Sequence, residues 1–289
     1  MLFRSEALVG LFPNELKNGQ ITNYVEPFIG GGALFFFMAQ KYDLKNFFLS
    51  DVNNELVLAY QTIQRNVNGL IDLLAKMQQN YHALDSEKQK EFFYQTRADF
   101  NAKKSKMNFS IFDSAWVERT AEIIFLNKTC FNGLFRVNAK GGFNVPFGSY
   151  ENPIICDAEN LLAVSNLLQK ATIQCGDFTT SRGYIDSKTF VYFDPPYRPI
   201  SRTASFTSYS TVSFDDNMQR KLAEYYRSLH MTGAKLMLSN SDPKNDNPDD
   251  HFFEELYSGF RLERVGASRM INSKAARRGK INELVIMNY

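Results

Sequence analysis

Asn23-Tyr24-Val25-Glu26-Pro27-Phe28-Ile29-Gly30-Gly31-Gly32 is a short apolar run ending in three glycines, followed at once by a densely apolar stretch from Ala33 to Ala39. An apolar run too short for a helix, a glycine turn and then a longer apolar segment predict a strand, a tight turn and a buried helix. A second such unit follows. Phe47-Phe48-Leu49-Ser50 runs into Asp51, and beyond it apolar residues recur three or four apart at Leu56, Tyr60, Ile63, Val67, Leu70, Leu74 and Met77. Strand, helix, strand, helix in that order predicts a parallel sheet in an α/β fold.

Further along, Thr172-Ile173-Gln174-Cys175 and Phe190-Val191-Tyr192-Phe193 read as strands that run into Asp177 and Asp194. A helix is expected from about Asp215 to His230, capped by Ser213 and stopped by Gly233, with a strand at Lys235 to Ser239. Leu262 to Ser268 and Glu283 to Asn288 read as two strands joined by a basic loop. Between these halves the pattern turns charged and helical from about Asn80, then rich in glycine and asparagine from Asn127 to Tyr150. That change marks an insertion.

Composition narrows the class. With 22% charged and 44% hydrophobic residues among 289, the chain has the makings of a folded core and not of a disordered or collagen-like protein. No run approaches the roughly 20 apolar residues of a membrane helix, and the N-terminus lacks a signal-peptide layout, so the expected location is cytoplasmic. Cys130, Cys156 and Cys175 are read as reduced core thiols, since three widely spaced cysteines suit neither a disulfide framework nor a zinc site. His82, His230 and His251 show no ligand spacing, and no metal is expected. A net charge of +2 is uninformative, but two basic clusters, Lys103/Lys104/Lys106 and Arg269/Lys274/Arg277/Arg278/Lys280, could meet phosphates.

In an open α/β sheet, ligands bind beyond the carboxyl ends of the strands, where Gly30, Gly32, Asp51, Asp177 and Asp194 are all expected to stand. A glycine turn admits a ligand close to the backbone, and Asp51 is spaced to hydrogen-bond ribose hydroxyls of an adenosine-containing cofactor. The spacing departs from the dinucleotide pattern, which disfavours hydride chemistry. Asp194-Pro195-Pro196-Tyr197 then points to the reaction. Two prolines fix the chain as it leaves the sheet and donate no amide hydrogens, leaving carbonyls to accept. The lone pair of a purine's exocyclic amine is delocalised into the ring. The Asp194 side chain and Pro195 carbonyl could accept its two hydrogens and turn that lone pair toward a methyl sulfonium, with Tyr197 stacked on the base. Attack on cytosine C5 wants a thiol, typically after proline, and no cysteine here follows one.

At these residues the chain resembles the Dam-like, D12-class alpha group of adenine-N6 DNA methyltransferases. Phe125-Leu126-Asn127-Lys128-Thr129-Cys130-Phe131-Asn132-Gly133-Leu134-Phe135-Arg136-Val137-Asn138 is the most specific shared string, joined by Phe143 to Gly148 and Cys175 to Phe178. The resemblance implies a Rossmann-like S-adenosylmethionine-dependent core over residues 1–60 and 154–289, with a mainly helical target-recognition domain inserted at 61–153. It implies cofactor contacts from Phe28, Gly30, Gly32, Asp51, Asp177 and Phe178, and a target adenine flipped from double-stranded DNA onto Asp194, Pro195, Pro196 and Tyr197.

Phe131 would wedge into the duplex, while Asn132, Arg136 and Asn138 meet DNA together with Arg269, Lys274, Arg277, Arg278 and Lys280. The basic tail and Ser205-Phe206-Thr207-Ser208-Tyr209 look most like GATC-methylating members, monomeric, with or without a cognate restriction endonuclease. The likeness departs at the N-terminus, where family members carry a Trp-Ala-Gly-Gly-Lys-like cofactor segment and this chain reads Met1-Leu2-Phe3-Arg4-Ser5. That departure supports a second expectation, a DNA-binding relative with impaired catalysis. Cytosine N4 or RNA adenine as acceptor is a third, disfavoured for cytosine because those enzymes more often carry serine in place of Asp194.

Overall fold

The computed structural model describes residues 8–138, 141–198, 214–268 and 280–289. In chain order the elements are helix α1 (Asn14–Lys17), β1 (Asn23–Glu26), α2 (Ala33–Lys41), β2 (Asn46–Asp51), α3 (Asn54–His82), α4 (Ser86–Lys103), α5 (Ser114–Thr129), α6 (Ala158–Leu168), β3 (Ala171–Cys175), β4 (Thr189–Phe193), α7 (Asp216–His230), β5 (Lys235–Ser241), α8 (Phe252–Leu256), β6 (Arg261–Ser268) and β7 (Lys280–Met287).

The strands form one sheet in the order β3-β2-β1-β4-β5-β7-β6. The first five are parallel, and β7 runs antiparallel to both β5 and β6. From β1 the chain winds outward through β2 to β3, then returns to place β4 on the other flank of β1 and winds outward again. The reversal between β1 and β4 is a topological switch point, where open α/β sheets form a crevice at the strands' carboxyl ends. β4 is buried at every position, as a central strand covered on both faces requires, whereas edge strand β3 buries only Ile173. Cys175 is therefore exposed, not a core thiol; Cys130 is buried and Cys156 half-buried.

Two compact units account for the chain. One takes the residues up to Val52 and from Lys170 onward, the other Asn53–Gln169. These bounds differ from the expected 60 and 153 because α3 and α6 hold each other: Gln64 donates to the Leu168 carbonyl at 2.7 Å and Gln169 to the Gln64 carbonyl at 2.9 Å. In the first unit Val25, Phe48, Val191, Phe193 and Leu236 of the sheet pack with Leu222, Tyr226 and Leu229 of α7. The cap of α7 is the Asp215 carboxylate, which accepts from the Met218 amide at 3.0 Å; Ser213 lies outside the described residues.

The second unit is built around α3 to α6, with Leu70, Leu74, Tyr81, Phe93, Phe125 and Leu126 in its core. α3 bends at Asn66, whose backbone is non-helical and whose side chain accepts from the Gly69 amide at 3.2 Å. Arg119 on α5 is only 1% exposed and forks onto Glu55 of α3, with Nε–Oε2 at 2.8 Å and Nη2–Oε1 at 2.5 Å. It also donates to the Phe100 carbonyl on α4. One fully buried cation thus ties three helices. Among the described residues no helix is long and apolar enough to cross a membrane.

Candidate active site

The glycine turn carries the chain from β1 into α2 by a left-handed step. Gly30 has φ 45° and Gly32 φ 67°, a region that glycine enters without a Cβ clash. Among the described residues, a Cβ added to Gly30 would meet nothing within 4 Å. The Gly30 amide donates to the Asp51 carboxylate at 3.1 Å, which joins the ends of β1 and β2. Gly176, just past β3, donates its amide to the Asp51 carbonyl at 3.0 Å. Asp177 is exposed and accepts from the Thr179 amide at 2.9 Å. Phe178 is 3% exposed, its ring packed at 5.8 Å from Phe28 and 5.5 Å from Tyr225. The ends of β1, β2 and β3 thus carry Phe28, Gly30, Gly32, Asp51, Asp177 and Phe178 along one edge of the sheet.

Asp194 to Tyr197 leave β4 on the other side of the switch point. Asp194 and Tyr197 are half-buried, Pro195 is buried and Pro196 exposed. The Tyr197 hydroxyl donates to Glu283 of β7 at 3.4 Å. The Pro196 carbonyl accepts from Gln219 Nε2 at 3.2 Å, so of the carbonyls expected to stay free this one is engaged. Between the two loops lies Glu26, 3% exposed, whose carboxylate accepts from the Tyr24 hydroxyl at 2.8 Å. Burial pushes the Glu26 carboxyl up to about 8, against the Tyr24 hydrogen bond, and the nearby Asp194 charge adds to the rise.

Sequence reasoning missed Glu26, Gln219, Asn240 and Arg198. Asn240 stands at the carboxyl end of β5, the position class that singled out Asp51 and Asp194, and the same rule applied once more finds it. Arg198 directly follows Tyr197 and forks onto Asp216 at 2.8 and 3.1 Å and onto Asp250 at 2.7 Å, with its guanidinium over Phe252.

In the second unit, Phe131, Asn132, Arg136 and Asn138 all lie on the stretch following α5 and all are exposed, Phe131 by 53%. Asn132 has φ 57° and Gly133 φ 60°, a left-handed pair that turns Phe131 out of the core. The base of the loop is tied down: Phe131 and Gly148 donate amides to the Pro146 and Thr129 carbonyls at 2.9 Å each. Gly148 has no room for a side chain, since a Cβ would stand 2.6 Å from the Cys130 carbonyl oxygen. Arg136 Nε donates to Asn144 Oδ1 at 2.9 Å. Arg269, Lys274, Arg277, Arg278 and the segment 205–209 lie outside the described residues, and Lys280 is described only as the first residue of β7.

A sheet with this switch point and acidic, glycine-bearing strand ends defines an α/β cofactor-binding core carrying a helical second unit. Residues 6–271 match the D12 class N6 adenine-specific DNA methyltransferases, and the chain belongs to that family. It is 50% identical to the type II methyltransferase M.MjaIII of Methanocaldococcus jannaschii, over 96% of this chain and 92% of that protein. It is 37% identical to the type II methyltransferase M1.LlaDCHI of Lactococcus lactis subsp. cremoris, over 92% and 86%. The DNA adenine methylase of Escherichia coli (strain K12) is 31% identical over 91% and 85%. The chain is an adenine-specific DNA methyltransferase, and its family implies S-adenosylmethionine as methyl donor.

Proposed function

We propose that this methyltransferase binds duplex DNA through its second unit, receives an adenine rotated out of the helix at Asp194 to Tyr197, and methylates that base within GATC. The observation that carries the reading is the pairing, across the β1/β4 switch point, of the open glycine turn with the proline-fixed acidic loop. The residues fit the cofactor chemically. A ligand bearing an ammonium and a sulfonium suits strand ends carrying Asp51 and Asp177, and among the described residues nothing crowds Gly30, which would admit the ligand close to the backbone. Asp51 would hold the ribose hydroxyls, and Asp177 and Phe178 would border the adenine ring. When bound, the cofactor supplies a methyl group on a positively charged sulfur.

The chain's own residues do the rest. The Asp194 carboxylate and Pro195 carbonyl accept the two hydrogens of the target amine and aim its lone pair outward, while Tyr197 stacks on the base. Removing the base from the duplex costs a few kcal/mol, offset by that stacking and by Phe131 filling the gap. Arg136 donates to a guanine edge, and Asn132 and Asn138 meet the neighbouring bases and backbone. The basic residues from Arg269 to Lys280 add phosphate contacts without sequence choice.

Two relatives bear the name type II methyltransferase, which favours a restriction-modification setting with a cognate endonuclease over an orphan role. Transfer of labelled methyl from S-adenosylmethionine to duplexes containing GATC, against duplexes with one base changed, tests the reading. Transfer confined to GATC is expected. Equal transfer to the altered duplexes contradicts the site, and absence of saturable S-adenosylmethionine binding contradicts the cofactor assignment.

A further inference from the structure

The loop that leaves β4 is held from behind by a chain of buried amides. Gln219 on α7 and Asn240 on β5 are both fully buried. Gln219 Nε2 donates to the Pro196 carbonyl at 3.2 Å, and Gln219 Oε1 accepts from Asn240 Nδ2 at 3.2 Å. Asn240 Oδ1 accepts in turn from the backbone amides of Arg198 at 3.1 Å and Ser241 at 2.9 Å. Ser241 Oγ closes the circuit by donating to the Arg198 carbonyl at 2.7 Å.

The two ends of this chain fix its sense. A proline carbonyl can only accept and the Arg198 amide can only donate, so each side-chain amide has one orientation that satisfies every partner. A buried polar network satisfied throughout fixes position, and a missing donor leaves a costly orphan. Here the fixed object is the backbone on both sides of Tyr197. On the surface side, Arg198 is anchored by its fork onto Asp216 and Asp250.

We propose that Gln219 is a positioning residue for methyl transfer: through the Pro196 carbonyl, and through Asn240, it sets the backbone that aims the Asp194 and Pro195 acceptors at the target amine. The inference rests on the reading that Asp194 to Tyr197 hold that amine. It predicts that Gln219 acts on kcat and leaves cofactor binding alone, since Gln219 meets the loop after β4 and not the glycine turn. Displacing reacting groups by about 1 Å can cost on the order of a hundredfold in rate.

Three variants of the full chain test this on a GATC duplex, beside Asp194→Ala. Gln219→Leu fills a similar volume but donates nothing. Its kcat should fall about tenfold to a hundredfold, with the KM for S-adenosylmethionine within about twofold of the parent. Gln219→Glu can donate to Pro196 and accept from Asn240 when protonated, and burial favours the protonated acid. At pH 6 it should recover most of the loss.

Arg198→Ala loosens the same loop from its partly exposed side, keeps the assay informative should the core variants fail to fold, and should lower kcat about threefold to tenfold. A fluorescent purine at the target position should report a less firmly held base in the Leu variant and a restored signal in the Glu variant. A folded Gln219→Leu enzyme with the parent's kcat overturns the inference, as does a Glu variant as impaired at pH 6 as the Leu variant, or an Arg198→Ala variant with unaltered kcat. Activity retained by Asp194→Ala would instead sink the reading of the loop itself.

Discussion

The loop after β4 and the loop after α5 both carry residues proposed to meet DNA, yet one is held from behind by fully buried side chains and the other turns its side chains to solvent. Behind Asp194 to Tyr197 stand Gln219 and Asn240, fully buried and hydrogen-bonded at both ends. The loop following α5 is held mainly through its own backbone and by partly exposed side chains, Asn127 donating to the Gly133 carbonyl at 2.7 Å and Arg136 to Asn144 at 2.9 Å, and it presents Phe131 and Leu134 to solvent at 53% and 37% exposure. Methyl transfer depends on reacting atoms held within a fraction of an ångström, which favours a backbone fixed by a satisfied network. Insertion into a duplex requires apolar and donor groups that are exposed beforehand. On the proposed reading, in which Phe131 enters the duplex, a wedge buried in its own core would be lost to the DNA.

That contrast can be broken at several places. The largest expected effect lies beneath the exposed loop, in the helices that carry it. Arg119→Ala strands Glu55 in the interior and should lower unfolding free energy by about 3–5 kcal/mol, measured by denaturant titration. A loss below about 1 kcal/mol would mean that the buried fork is not what joins α3, α4 and α5.

Next comes Glu26, at the rigid end. Its folded carboxyl binds a proton more tightly than the unfolded chain does, so its contribution is complete below the ordinary value of 4.5 and is lost as pH rises through about 8. Between pH 5 and pH 9 the parent should lose on the order of 4 kcal/mol more than Glu26→Gln. Parallel melting curves for the two across that range would remove Glu26 from the account.

Arg136→Ala should cost about 1–3 kcal/mol of discrimination at a single guanine in competition assays with altered duplexes, with little change in melting temperature. A uniform loss across all sequences would make Arg136 a phosphate contact instead. The smallest effect is expected at Asp215→Ala, which removes the cap of α7 and should cost about 1 kcal/mol of stability.

Much of this molecule could be read from residue order. The apolar run from Asn23 into three glycines, and the acids after Phe47–Ser50, Thr172–Cys175 and Phe190–Phe193, place the parallel strands and their carboxyl ends, because strand length and turn chemistry are local properties. What joins residues far apart along the chain was not legible. Arg119 and Glu55 are 64 positions apart, and Arg198 meets Asn240 42 positions away. No periodicity records which buried polar group finds which partner.

The exposure of Cys175 was missed because β3 is an edge strand, a property of the whole sheet. The engaged Pro196 carbonyl escaped for a related reason. Two prolines announce that the backbone donates nothing, but not that a glutamine from α7 will use one of its acceptors.

The most direct test of the central claim compares Asp194→Ala with the parent chain in methyl transfer to GATC duplex, with melting temperature and S-adenosylmethionine binding measured on the same samples. The account predicts a loss of kcat of at least about a thousandfold, with melting temperature unchanged and cofactor still bound. Methyl transfer within about tenfold of the parent would contradict it, since the amine would then be activated elsewhere.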